Sequence, residues 1–311
     1  MWSNPAVAYG AVMIGVLGHA SSEFVAVYSG VAGPEVSSWR YLLGGTGLLL
    51  IALAVPGARD MITPLREAGG RILVLSLLGV SLAYLLFHWA LDHATVIQVA
   101  TLVTTIPIWV GLANLVINRQ PVSAAKWLTG AAAVLGVALL LTDGMLGRLM
   151  DAGGSLVGLL MALGCAALVA VYSVLMKPII GQYGALRITA LSMFLGGIGL
   201  WLLVGVAFGV WVDPTALPDR PPREAWSLLA IALWNTTLTQ YLWIGGLAHA
   251  PDITRASYLF FLKPVIAAAL ALLILAQPVT AIQVTAIAVI CGAVLVEFLW
   301  QRRRRPAPAR G

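Results

Sequence analysis

The chain has 311 residues, 60% of them hydrophobic and 10% charged, with a mean hydropathy of +0.95. That leaves too little polar surface for a soluble domain of this length and marks an integral membrane protein. The net charge of +6 excludes nothing alone, but its placement follows loops, so no nucleic-acid partner is expected.

Apolar runs predict an all-α polytopic fold of ten transmembrane helices. They fall near 6–29, 37–55, 72–91, 94–117, 124–142, 154–176, 186–208, 226–248, 253–276 and 280–300. The opening MWSNPAVAYG lacks a basic n-region, so no cleaved peptide is expected. With both termini cytoplasmic, Arg59, Arg66, Arg71, Arg119, Lys126, Lys177, Arg187, Arg255, Arg302 to Arg305 and Arg310 lie inside, against Arg40, Arg148, Arg220 and Arg223 outside. This satisfies the positive-inside rule. Cys165 and Cys291 fall within spans without metal-ligand spacing, and no cofactor is expected.

The first span carries Gly15, His19, Ser22, Glu23 and Ala26 along one helical face. Glu23 fits a coupling proton site or counter-ion for a substrate amine; it equally fits an interhelical pair. His19 can touch substrate or simply pack. In the second and seventh spans, LGGTGL (43–48) and LGGIGL (195–200) read as close packing faces. Arg40, near the predicted start of the second span, reads as a side chain snorkelling outward.

The third span places Ser81, Tyr84 and His88 on one stripe, and the fourth does the same for Gln98, Thr101, Thr105 and Trp109. Such stripes at membrane depth either bond a neighbouring helix or line a wet cavity, and two adjacent ones favour the cavity. His88 also sits near the outer end of its span, where hydration would make it inexpensive. The fifth and tenth spans are nearly featureless and read as scaffold. The loop at 208–226 is rich in proline and mixed charge and is expected to be irregular.

The eighth span is the most polar, with Thr236, Gln240 and Trp243 sharing a face. In the ninth, Tyr258 and Phe260 precede Lys263-Pro264 at the midpoint of an otherwise apolar stretch. A charge at that depth costs at least about 2.5 kcal/mol, so it should face protein, water or ligand. Pro264 also removes a rung of the helical ladder beside it.

The sequence repeats weakly. An offset of 157 places Pro107 on Pro264, Gln120-Pro121 on Gln277-Pro278 and Tyr84-Leu85 on Tyr241-Leu242, while VAVYS recurs at 25–29 and 169–173. Two five-helix units follow, 1–143 and 154–300, with a basic cytoplasmic tail at 301–311. An odd number of spans per unit inverts the second, as in many secondary transporters.

Ten spans in two such halves, with LKPVIAAAL before a short QP turn, resemble the EamA type of the drug/metabolite transporter superfamily. Within it the chain is similar to the YddG-like bacterial exporters of amino acids, especially aromatic ones. That resemblance implies a bacterial inner-membrane carrier, plausible as a monomer in contact with lipid, exporting small amphipathic metabolites by alternating access. Many relatives carry glutamate where this chain has Lys263, which reverses the sign of the central charge.

On these residues Lys263 would attract a carboxylate, Tyr84, Trp109, Trp243, Tyr258 and Phe260 would supply aromatic surface, and Gln98, Thr101, Thr105, Thr236, Gln240 and His88 would supply polar contacts. Competing readings are an organic-cation or multidrug exporter using Glu23 as counter-ion, and an organic phosphate or nucleotide-sugar antiporter. An intramembrane enzyme finds no H-E-x-x-H, G-x-S-x-G or Walker motif to support it, and a channel finds no charged rings.

Overall fold

The structure is a computed structural model describing residues 4–103, 105–119, 153–250, 259–276 and 280–304. The predicted fifth span (124–142), Tyr258 and the tail beyond residue 304 lie outside the described residues. Every described element is helical, as expected where lipid offers backbone groups no hydrogen-bonding partner.

Helix α1 (Pro5–Ser29) begins with Asn4 Oδ1 accepting from the Ala6 N–H at 2.9 Å, and it stops at Gly30, whose φ of 74° is left-handed. Helix α2 (Gly33–Ala54) follows at once. Helix α3 (Ile62–Ala90) starts well before the predicted residue 72 and contains a π-helical segment, Leu77–Leu82. The predicted fourth span is two helices, α4 (Val96–Val103) and α5 (Ile106–Asn118). Helices α6 (Gly153–Tyr183) and α7 (Ala185–Phe208) are continuous.

The loop expected to be irregular holds a 3-10 turn, Pro214–Asp219, and Arg220 beyond it pairs with Glu35 of α2. Helix α8 spans 222–249 with a π-helical segment, Ala230–Leu238. A 3-10 turn (Leu259–Leu262) then feeds α9 (Lys263–Leu275), and α10 runs Ala281–Arg304. Five of these helices (α1, α2, α3, α6 and α7) are long and apolar enough to cross a membrane unbroken. Their outer faces expose Leu50 and Val206, apolar side chains that lipid solvates.

The two halves break in corresponding places. Adding 157 to Ile106 and Asn118 gives 263 and 275, the bounds of α9, so α5 and α9 coincide under the sequence offset. Each starts at a break with proline at its second residue, where a missing N–H removes no helical bond. The same offset moves Leu77–Leu82 to 234–239, overlapping the other π segment.

Packing mirrors this exchange. Helix α1 lies on α8 and α9, while α6 lies on α3 and on α4 and α5; α2 and α7 pack on one another. At that central crossing a Cβ on Gly45 would come 2.6 Å from the Met193 carbonyl oxygen, and one on Gly197 would come 2.4 Å from that of Tyr41. Glycine there permits backbone-to-backbone approach. Helix α1 approaches α8 similarly, through Gly15 against Trp243 and Gly18 against Thr239.

Candidate substrate-binding cavity

Where the α4/α5 and α9 breaks face α1, α2, α3, α6 and α8, a cavity of about 430 Å³ opens. Its walls include His19 and Ser22 from α1, Arg40 from α2, and Tyr84 and Phe87 from α3. Tyr172 comes from α6, Gln240 and Trp243 from α8, and Phe260 and Lys263 from the start of α9. Helix breaks bring polar groups to membrane depth without exposing them to lipid.

Lys263 Nζ lies 2.6 Å from Glu23 Oε1, with side-chain exposures of 5% and 0%. The contact is a close, buried ion pair, and among the described residues Glu23 Oε1 has no further hydrogen-bond donor. Glu23 Oε2 accepts from Ser22 Oγ at 2.9 Å. Two aromatic faces flank the ammonium, Phe87 at 5.6 Å and Phe260 at 5.8 Å. His19 meets Trp243 and Phe260 edge-on at 5.8 and 5.5 Å, completing an aromatic wall.

Arg40 does not snorkel. It is 3% exposed, because α2 begins at Gly33, which puts Arg40 about 10 Å along the helix from its start. Its Nε donates to Thr236 Oγ1 at 2.9 Å and its Nη2 to the Asn235 carbonyl at 3.3 Å, both in the π segment of α8. Its Nη1 donates to His88 Nε2 at 3.1 Å. Because guanidinium only donates, His88 is the neutral tautomer with its proton on Nδ1, which faces the Tyr84 carbonyl at 3.0 Å and Ser37 Oγ at 2.7 Å. Tyr41 and Tyr84 lie 5.4 and 5.8 Å from the guanidinium carbon. Every partner of Arg40 among the described residues is neutral.

His88 is fully buried rather than hydrated near an interface. It also borders a second cavity of about 300 Å³, between the α1–α2 turn and the end of α3, where Asp92 accepts from the Gly33 N–H. Asn235 Nδ2 donates to the Gly18 carbonyl at 2.6 Å and to Ser21 Oγ at 2.9 Å, fixing α8 to α1.

Of the residues singled out from sequence, His19, Tyr84, Gln240, Trp243, Phe260 and Lys263 line the cavity. Glu23 stands behind Lys263, and Thr236 and His88 hold Arg40. The fourth-span stripe does other work. Gln98 Oε1 accepts from the Thr95 N–H at the head of α4, Thr105 Oγ1 donates to the Leu102 carbonyl, and Trp109 Nε1 donates to Thr105. The side chain of Thr101 and all of Tyr258 lie outside the described residues. Arg40, Phe87 and Tyr172 are additions to the site; the signal for Arg40 was a charge inside a span.

The sequence profile of the EamA-like transporter family matches residues 1–142 and 156–299. No curated protein matches the chain. A solved structure, described as a crystal structure of a protein, is 18% identical to it, with a TM-score of 0.65 over 97% of this chain and 100% of that one. At that identity the likeness shows the fold alone.

Proposed function

Since the chain belongs to the EamA-like transporter family, and is therefore a multi-pass membrane carrier of small molecules and not an enzyme, we propose that it exports a small amphipathic metabolite by alternating access. Aromatic amino acids, the cargo of the subgroup it resembles, fall within this class. The observation that carries the reading is the cavity of about 430 Å³, with aromatic walls and a few charged groups. Small-molecule sites have that size and character. Two five-helix units, inverted relative to one another, would rock about this site; the matched breaks of α5 and α9 and the mirrored packing support that arrangement.

Organic cations fit less well. Glu23 is already engaged by Lys263, so a cation would have to displace the lysine to reach it. The phosphate reading gains Arg40 as a donor for oxyanions. With Lys263 compensated by Glu23, though, the described walls offer one free positive charge against about two on a phosphate monoester.

Counterflow in proteoliposomes tests the carrier reading with labelled phenylalanine and related aromatic metabolites. Unlabelled substrate on the far side should accelerate entry of label. A pore or an enzyme would be indifferent to it.

A further inference from the structure

The sign of the cavity is legible in its charge balance. Lys263 and Glu23 cancel at 2.6 Å. Arg40 is buried and reaches the cavity wall, yet is held by Thr236 Oγ1, the Asn235 carbonyl and neutral His88. The groups facing it from α3 and α2 besides His88 are the rings of Tyr84 and Tyr41. Among the described residues, the walls of the empty cavity therefore carry one net positive charge. Charging either His88 or His19 would only raise it.

An uncompensated cation at membrane depth calls for a counter-charge. A zwitterion brings none, and an organic cation brings the wrong sign. We infer that the cargo is an amphipathic monoanion, an aromatic carboxylate with no compensating amine, which binds with its carboxylate at Arg40 and its ring on the aromatic wall. The inference rests on the carrier reading and narrows it.

It also supplies a driving force. The loaded site is neutral and the empty site is positive, so voltage acts on the return of the empty carrier. Each cycle moves one negative charge outward, and an interior-negative potential of about 100 mV biases that distribution about 50-fold. Exchange of anion for anion crosses in the neutral form and should not respond.

Three probes sharing one ring separate the cases: 3-phenylpropionate, phenylalanine and 2-phenylethylamine, with net charges of −1, 0 and +1. In proteoliposomes of the wild-type protein, counterflow should favour 3-phenylpropionate over the other two by about ten-fold or more. A potassium diffusion potential, negative inside, should speed its net efflux and leave its exchange unchanged. Arg40→Gln should abolish the preference and Arg40→Lys should retain part of it; the wild-type comparison stands even if Arg40→Gln fails to fold. Counterflow favouring phenylalanine or phenylethylamine would overturn the inference and leave the carrier intact. So would voltage-independent efflux of 3-phenylpropionate, or an undiminished preference in Arg40→Gln. Absence of counterflow with all three probes would overturn the carrier reading itself.

Discussion

Lys263 of α9 and Glu23 of α1 form one ion pair, 2.6 Å apart and closed off from solvent, at the wall of a cavity that spans both halves of the chain. Each ion costs several kcal/mol to bury alone, so neither residue is interpretable without the other.

Removing one partner should therefore be worse than removing both. Glu23→Gln is expected to lower unfolding stability by about 3–5 kcal/mol by stranding the ammonium. Glu23→Gln with Lys263→Met should recover most of that loss. Thermal unfolding of the purified variants in detergent measures this; a double variant less stable than either single one would show that the pair is not a coupled unit.

Lys263 and Arg40 show how far the sequence could be read. A lysine inside an apolar span announces itself, and so does the proline after it, because both violate the rules of a lipid-facing helix. Which partner neutralises the lysine is set by α1 packing on α9, a long-range contact that leaves no local trace in the sequence. Arg40 was misplaced for a smaller reason: starting α2 at residue 37 rather than Gly33 turns a buried residue into an interfacial one. The stripe of Gln98, Thr105 and Trp109 was legible as polar spacing, but Gln98 bonds the head of α4 and the break after α4 turns Thr105 and Trp109 to local bonds. The π segments carry no pattern that periodicity detects, although they carry Ser81 and Thr236.

His88 positions Arg40 without lining the central cavity. Its replacement by alanine deletes one charge-assisted bond and frees the guanidinium, so KM for the anionic probe should rise about ten-fold while kcat changes less. His88→Gln, which keeps an acceptor, should restore much of the affinity. Transport kinetics of the two variants distinguish positioning from a purely structural role, which would depress the amount of active carrier without moving KM.

The α2–α7 crossing is intolerant of side chains. Gly45→Val and Gly197→Val would each drive a Cβ into carbonyl oxygens at 2.6 and 2.4 Å, and backbone atoms in two long helices cannot step aside. A loss of about 3 kcal/mol or more is expected. Gly181→Ala in α6 meets nothing within 4 Å and should stabilise by about 0.5–1 kcal/mol through helix propensity. Yields of folded protein on gel filtration and melting curves report both.

Asp213 caps the 3-10 turn of the long loop, accepting from the Thr215 N–H at 2.9 Å and Thr215 Oγ1 at 2.7 Å. These bonds favour the carboxylate and hold its pKa below the ordinary value of 3.8. A lowered folded-state pKa contributes order that is complete above the ordinary value and lost as pH falls through the lowered one. Hydrogen exchange at Thr215, corrected for the intrinsic rate, should therefore accelerate only in that acid window. In Asp213→Asn, which keeps an acceptor but cannot titrate, the acceleration should vanish.

Alternating access to the cavity underlies the transport mechanism, and Gln240, on its wall, reports it. With Cys165 and Cys291 replaced by alanine, Gln240→Cys should react with a membrane-impermeant thiol reagent from either face in oriented vesicles. Substrate added on the reagent's side should slow both reactions. Labelling confined to one face under every condition, or undiminished by any transported substrate, would contradict the account.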